Sequence, residues 1–350
     1  MNYSKAETYT KKVLLGITGF VFAGMNIFAG ETLTYPKDGK ADRALGYQKL
    51  ENSLGISGSY EGNKVIVNAG PAIERVFGAA QPGKENIEIM KKNTVIIDGG
   101  TLATNGRWER ENENIPKGGS IYGAGGQATL VTENTVIIKG TSTVEGNVYG
   151  GYSHRGSATY NKVIIEGTPK FGTETILFGG RGSRSTALKE DKKTLAPLDV
   201  ITGNTLEIKT KNVTVNDIKN FEKIIFNLSL EEIGKNDKIL TLTNNKGVDL
   251  EKPETVGVSK KLNALTEEEK NKIIKEKNKD ISLKIDVFLQ NKPMKNMKNV
   301  KVVLINAKEG LRLSKLPKNI NKTEKNYKYQ VKFEKDKENL YGIINVTFLK

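Results

Sequence analysis

Residues 134–141 read NTVIIKGT, and three other segments share this pattern. They read NKVIVNAG at 63–70, NTVIIDGG at 93–100 and NKVIIEGT at 161–168. Each segment carries a short run of β-branched residues, which favours a strand, between an Asn and a Gly. One such strand is too short to bury its apolar face alone, so we expect the four segments to stack on one another.

A second short motif follows each of these segments. It reads VFGA at 76–79, IYGA at 121–124, VYGG at 148–151 and LFGG at 177–180. The Asn residues that open the repeats are 30, 41 and 27 residues apart. An antiparallel sandwich, the alternative, predicts hairpin turns about every 8 to 12 residues. The longer spacing therefore predicts an all-β fold of the β-solenoid class.

Stacking brings equivalent residues of successive repeats together. Asn tolerates the left-handed backbone region at a turn, and Gly permits a positive φ or a close backbone approach. We expect the repeated Asn side chains to bond to one another as a ladder, and the aromatic residues to form a column. These aromatic residues are Phe77, Tyr122, Tyr149 and Phe178. Both rows are interpreted as scaffold rather than as ligand sites.

Composition divides the chain into five predicted regions. They are a signal peptide at 1–29, a lead-in or cap at 30–62, Gly-rich repeats at 63–184, a loop or boundary at 185–203, and a Lys-rich β region at 204–350. Of the 36 Gly, 30 lie at or before Gly182. The first region has lysines followed by an apolar run, which is the order of a secretory signal peptide. Cleavage is expected after Ala29 or Ala23, and an uncleaved anchor is the alternative.

The Lys-rich region contains two further local signals. The sequence TEEE at 266–269 matches a capping box and predicts one short helix that ends at about residue 277. Residues 327–333 and 340–349 have strand patterns on either side of a polar turn, and they predict a terminal β-hairpin.

Composition also excludes several classes of active site. The 350 residues include no Cys and one His, His154. Disulfides, thiolate zinc sites and cysteine nucleophiles are therefore excluded, and no metal or cofactor is expected. The formal net charge is +15, but 47 of the 55 basic residues are Lys. Nucleic-acid sites favour Arg, so we interpret this charge as a solvated surface rather than a nucleic-acid site.

The repeats resemble the passenger regions of Gram-negative autotransporters, the type V secretion proteins with pectin-lyase-like β-helices. The succession IKNFEKIIFNL at 218–228, ILTL at 239–242 and VKVVLINA at 300–307 is similar to the end of many such passengers. The resemblance implies a right-handed parallel β-helix, export to the cell surface or outer membrane, and a role in virulence. In that family a translocator barrel follows the passenger. Because the sequence stops at Lys350, we expect either a truncated reading frame or another export route.

Two groups of residues are candidates for ligand binding. The first lies in the insertion at 102–120, which contains Arg107, Trp108 and Arg110. An aromatic ring between two Arg suits stacking on a sugar or contact with a protein surface, because binding residues concentrate in projecting loops. In the alternative, Trp108 folds back as a lid on the solenoid. The second group is Arg181 and Arg184.

The function expected from these features is adhesion. The predicted ligand is a glycan or protein on a host or neighbouring cell, and the protein is expected to be monomeric. Two alternatives stay open. One is a β-helix enzyme acting on polysaccharide, for which the candidate acidic residues are Asp98, Glu145 and Glu166, and the other is a purely structural stalk.

Overall fold

The computed structural model describes ten segments of the chain. They are residues 30–36, 53–81, 87–103, 118–154, 156–182, 186–188, 195–234, 237–251, 282–291 and 295–349. In these segments all regular secondary structure is β-strand, so the predicted all-β class is confirmed.

The strands are β1 (Thr32–Tyr35), β2 (Ser53–Gly55), β3 (Lys64–Asn68), β4 (Arg75–Phe77), β5 (Ile87–Lys91), β6 (Thr94–Asp98), β7 (Thr101–Leu102), β8 (Ser120–Tyr122), β9 (Gly125–Gly126), β10 (Ala128–Thr132), β11 (Thr135–Lys139), β12 (Thr143–Val144), β13 (Val148–Ser153), β14 (Ser157–Thr159), β15 (Lys162–Ile165), β16 (Lys170–Phe171), β17 (Ile176–Gly182), β18 (Thr186–Leu188), β19 (Leu195–Pro197), β20 (Thr205–Ile208), β21 (Val213–Val215), β22 (Asp217–Lys219), β23 (Lys223–Leu228), β24 (Lys238–Leu242), β25 (Val248–Asp249), β26 (Lys284–Leu289), β27 (Met297–Ala307), β28 (Leu311–Arg312), β29 (Ile320–Thr323), β30 (Tyr327–Lys335) and β31 (Asn339–Phe348).

Four parallel sheets collect equivalent strands of successive repeats. The largest has eight strands in the order β1-β3-β6-β11-β15-β20-β23-β26, and a second has the order β2-β4-β8-β13-β17-β22 with β9 paired to β13. Two three-stranded sheets have the orders β5-β10-β14 and β7-β12-β16. The pairing is in register: Val95 of β6 lies opposite Val136 of β11, and Ile97 lies opposite Ile138. Identical positions of the sequence repeat are therefore neighbours in space.

Alternate residues of the eight-stranded sheet form the main core. Within β6, Val95 and Ile97 are fully buried while Thr94, Ile96 and Asp98 are partly exposed. The buried positions continue through the sheet as Val65, Val136, Val163, Leu206, Ile224 and Ile285, and as Val67, Ile138, Ile165, Ile208, Phe226 and Val287. Each buried side chain of this size contributes about 1.5 to 3 kcal/mol relative to an exposed one. Alternation thus sets which row of each strand faces inward.

The Gly residues that close three of the four repeats have the predicted positive φ, whereas none of the repeated Asn residues adopts the left-handed conformation. Gly99, Gly140 and Gly167, which follow strands of the large sheet, have φ of 74°, 64° and 76°. The residue before each repeated Asn also has a positive φ. These residues are Gly62, Lys92, Glu133, Tyr160 and Gly203, with φ of 74°, 57°, 55°, 55° and 70°. Left-handed corners therefore flank both ends of β6, β11 and β15 and precede β3 and β20.

The predicted boundary at 185–203 does not interrupt the large sheet. Two short antiparallel strands, β18 and β19, occupy part of this segment. After them, β20 pairs in parallel with β15, and β20 pairs with β23. The Gly-rich and Lys-rich regions thus share one sheet and one core. The predicted signal peptide at 1–29 and the predicted helix at 266–277 lie outside the described residues.

The predicted terminal hairpin is confirmed and lies within the last sheet, whose order is β21-β24-β27-β31-β30-β29. Strands β30 and β31 pair antiparallel, and β31 also pairs with β27. The hairpin sheet reaches the last strand of the large sheet through side chains: the Tyr329 hydroxyl donates to the Val287 carbonyl (3.0 Å), and the Lys322 ammonium lies 2.8 Å from the Asp286 carboxylate. These donors cover the strand edge that β26 presents beyond β23.

One carboxylate organises the turn of this hairpin. Asp336 accepts hydrogen bonds from the backbone N–H groups of Glu338 (2.8 Å) and Asn339 (2.7 Å) and from the Tyr341 hydroxyl (2.7 Å). The Tyr341 bond and the turn N–H groups lower the pKa of Asp336 from 3.8 to about 2. The folded state therefore favours the charged form of Asp336.

Acid should remove the stabilisation that the Asp336 carboxylate gives to the hairpin. Because the folded pKa is depressed, the stabilisation is fully present above pH 3.8 and is lost as pH falls through about 2. Asp336→Ala should lower the melting temperature of the full chain at pH 5, and the difference from the unmodified chain should shrink toward pH 2. Glu338→Gln, which removes a charge from the same turn, is the control. A difference that is independent of pH between 5 and 2 would contradict this account.

Candidate functional site

A buried column of Asn side chains fixes the geometry of the repeats. Asn63, Asn93, Asn134, Asn161 and Asn204 are each 0% exposed. The Oδ1 of Asn134 accepts from the backbone N–H of Asn93 (3.0 Å) and from its Nδ2 (2.9 Å), and Asn161 does the same for Asn134 (3.1 and 3.0 Å). The amides of Asn93, Asn134 and Asn161 each donate to the Asn of the next repeat, so the predicted ladder is confirmed.

The Gly of each aromatic-Gly motif lies against this column. A Cβ on Gly150 would lie 2.5 Å from the Gly179 carbonyl oxygen and 3.0 Å from the Cβ of Asn161. No side chain fits in that space, because the obstacles are backbone and a buried Cβ. The two motifs of the sequence, Asn-x-Val-Ile-Ile and aromatic-Gly, therefore meet inside the molecule, and each requires the other.

The aromatic residues face the opposite side of their sheet and stack as predicted. Ring centroids are 4.5 Å apart for Phe77 and Tyr122, 4.7 Å for Tyr122 and Tyr149, and 5.0 Å for Tyr149 and Phe178, with interplanar angles of 6°, 13° and 12°. Burial and the neighbouring Tyr149 raise the pKa of Tyr122. Tyr152 contacts this column edge-on, and the exposed His154 lies edge-on to Tyr152 at 4.9 Å.

Arg181, a predicted binding residue, is only 4% exposed and contacts the protein's own rings. Its guanidinium carbon lies 4.7 Å from the Phe178 ring centroid, and its Nη1 donates to the Tyr149 hydroxyl (2.8 Å). This side chain covers the column through a cation–π contact. A role for Arg181 in contacting a ligand stays a prediction. The other predicted binding residues, Arg107, Trp108, Arg110 and Arg184, lie outside the described residues.

The candidate catalytic acids do not form one acidic pair. Asp98 binds Lys139 of the next repeat (2.8 Å), and this hydrogen bond raises the pKa of Lys139. Glu166 lies 3.7 Å from Lys209, so both acids belong to a row of alternating charge on the outer face of the large sheet. Glu145 follows β12 and lies at a different corner of the repeat. The structure thus separates these three carboxylates.

A polar groove crosses one corner of three successive repeats, and its volume is about 560 Å³. It lies where the chain passes into strands β17 and β22 and where it leaves β24. The lining residues are Thr173, Glu174, Asn216, Thr243, Asn244, Asn245 and Lys246. Every lining side chain is polar or charged, so the groove suits a ligand rich in hydrogen-bonding groups.

A buried carboxylate, that of Asp217, fixes the residues that line the groove. Asp217 is 0% exposed, and its carboxylate accepts from Asn244 Nδ2 (2.8 Å) and pairs with Lys219 (2.9 Å). Asn216 Nδ2 donates to the Thr173 carbonyl of the preceding repeat (3.3 Å). These bonds hold the amides of Asn216 and Asn244 in place, while Asn245 and Lys246 are exposed at the rim. A preorganised polar lining of this kind reduces the ordering cost of binding.

Sequence reasoning missed the groove and one member of the Asn column. Asn204 is the first residue of the segment NTLEI, which shares its Asn-Thr start and its final Ile with the repeat sequence NTVII. This similarity could have identified Asn204 as a member of the column. The groove residues come from turns of unequal length in regions without a shared motif. Their proximity follows from the stacking of the repeats.

Among the described residues, no helix has the length and apolarity to span a bilayer. No cluster of three or more His, Cys, Asp or Glu side chains able to hold a metal ion occurs in the same segments.

Comparison of the chain with family models, curated proteins and solved structures finds no match.

The Asn column should be a sensitive point for stability. Asn134→Ala removes the acceptor of Asn93 and the donor to Asn161, and each buried group left without a partner costs about 1 to 3 kcal/mol. We expect a loss of at least about 2 kcal/mol in the free energy of unfolding, measured by urea denaturation of the full chain. Asn321→Ala, at an exposed position of β29, should change it by less than about 0.5 kcal/mol. Equal effects of the two substitutions would refute the role of the column.

Proposed function

We propose that the chain is an exported surface protein that folds as a right-handed parallel β-helix and acts by binding. The repeats would be successive coils of this helix, with the hairpin of β30 and β31 at one end. Three features support the coil assignment. These are the in-register parallel pairing in four sheets, the left-handed corners and the Asn column. The resemblance to autotransporter passengers suggests the surface or outer membrane as its location.

The polar groove at the corner of β17, β22 and β24 is the observation on which the binding function rests. It combines a fixed floor, made by Asn216 and Asn244, with an exposed rim at Asn245 and Lys246. Such a surface can accept hydrogen bonds from and donate them to a glycan or a protein loop. We therefore favour adhesion to a host or neighbouring cell, by a monomer and without a cofactor.

The arrangement of the acidic residues favours binding over hydrolysis. Glycoside hydrolysis commonly needs two carboxyl groups that flank one bond. Here Asp98 and Glu166 are engaged with lysines of adjacent repeats, and Lys139 lies between them in the same row. An enzyme acting on polysaccharide and a purely structural stalk remain the alternatives, and one experiment separates all three.

The test is the binding of the purified, fluorescently labelled full chain to intact epithelial and bacterial cells. Asn245→Ala with Lys246→Ala should weaken binding at least about tenfold, since both side chains line the rim of the groove. Lys318→Ala with Asn319→Ala removes the same two residue types at exposed positions before β29 and should leave binding unchanged. Absence of binding by the unmodified chain would support the stalk. Release of reducing sugar or unsaturated product from polysaccharides would support the enzyme.

A further inference from the structure

Tyr160 combines high exposure with an unfavourable backbone conformation. Its side chain is 59% exposed, and its φ is 55°. The equivalent position in the other repeats holds Gly62, Lys92, Glu133 or Gly203. A bulky aromatic residue is uncommon in the left-handed region, and such strain persists where the surrounding structure holds it in place, often at a functional site.

The next repeat provides a seat for the ring. A Cβ on Gly203 would lie 2.6 Å from Cε1 and 2.7 Å from Cγ of Tyr160, so the ring occupies space that any other residue at 203 would fill. The backbone N–H of Tyr160 donates to the Thr202 carbonyl (2.8 Å). The ring is thus held against Gly203 and presents its remaining surface to solvent. A held aromatic ring binds with little loss of side-chain entropy.

Polar side chains from successive repeats bond to Gly203 and to the residue before it. The Glu222 carboxylate accepts from the Gly203 N–H (2.6 Å) and from Lys284 Nζ (2.6 Å). Burial opposes ionisation of Glu222, but the bonds from Lys284 and Gly203 outweigh it and lower its pKa. Asp199 accepts from the Thr202 N–H (3.0 Å) and the Thr202 hydroxyl (2.6 Å). The Glu222 carboxylate therefore binds the glycine against which the ring packs, and the Asp199 carboxylate binds the residue before that glycine.

We infer that Tyr160 is the platform of a binding site for a neutral sugar. A pyranose would place its apolar face on the Tyr160 ring and donate hydroxyl hydrogen bonds to the spare lone pairs of Glu222 and Asp199. The carboxylates disfavour sialic and uronic acids by charge repulsion. The inference rests on the proposed binding function and names its ligand class, at a corner of the repeat different from the polar groove.

The test uses the purified full chain and methyl β-D-galactopyranoside, methyl β-D-glucopyranoside and N-acetylneuraminic acid as probes, with saturation-transfer NMR and titration calorimetry. We expect millimolar binding of at least one neutral glycoside and none of the acidic sugar. Tyr160→Gly should weaken binding at least about tenfold, and Tyr160→Phe should keep it within about threefold. Glu133→Gly, the same replacement one repeat earlier, is the matched control for the backbone and should not change binding.

The outcomes separate this inference from the proposed function. If the chain binds cells but binds none of the neutral sugars, the sugar site is overturned and the adhesion proposal is retained. Sugar binding that Tyr160→Gly removes, with no cell binding, would support the site and overturn adhesion. Equal sugar binding by the Tyr160→Gly and unmodified chains would overturn the role of Tyr160. If the unmodified chain binds no sugar and Tyr160→Gly loses cell binding, the partner at Tyr160 is a protein. That result would overturn the sugar assignment.

Discussion

The close approach between the Asn column and the Gly row is the constraint on which the rest of the fold depends. A buried amide must find all its hydrogen-bond partners, and the column supplies them only when successive repeats are in register. The Gly of the aromatic-Gly motif lets its sheet come within contact of the column, as at Gly150 and Asn161. Register in the large sheet and packing of the second sheet are therefore set by one contact. The buried rows of Val and Ile then follow, because a shift of one residue would move them to the outer face.

In-register stacking also explains why some positions repeat and others vary. Asn can bond to Asn, and an aromatic ring can stack on an aromatic ring, so these residues recur. A charged residue beside its own copy is repelled. The equivalent position at the end of these strands accordingly changes from Asp98 in β6 to Lys139 in β11, then to Glu166 directly after β15 and Lys209 directly after β20. At this position the outer face loses the sequence pattern that the inner face keeps, whereas the uncharged Ile66, Ile96, Ile137 and Ile164 repeat on the same outer face.

This division determines how much could be predicted from the sequence. The all-β class, the Asn ladder, the aromatic column and the terminal hairpin were predictable, because each depends on local pattern or on residues that recur at fixed places. The burial of Arg181 was not, since it depends on rings supplied by two repeats. The polar groove was not predictable either, because Asn216 and Asn244 lie in turns of different length with no common motif. The continuity of the sheet across 185–203 was hidden by a change in composition that affects the surface and not the core.

The same reasoning locates function on the molecule. A row that repeats identically serves the contact between repeats, so its side chains are already engaged and have few groups left for a ligand. Binding must use positions where the repeat constraint is relaxed, such as corners and turns. Tyr160 occupies a position at which the backbone demands a left-handed residue but the side chain is free to vary, as Lys92 and Glu133 show. A side chain at such a corner can be exchanged without disturbing the buried column beneath it. The fold therefore separates the residues that specify its structure from those that can acquire a ligand.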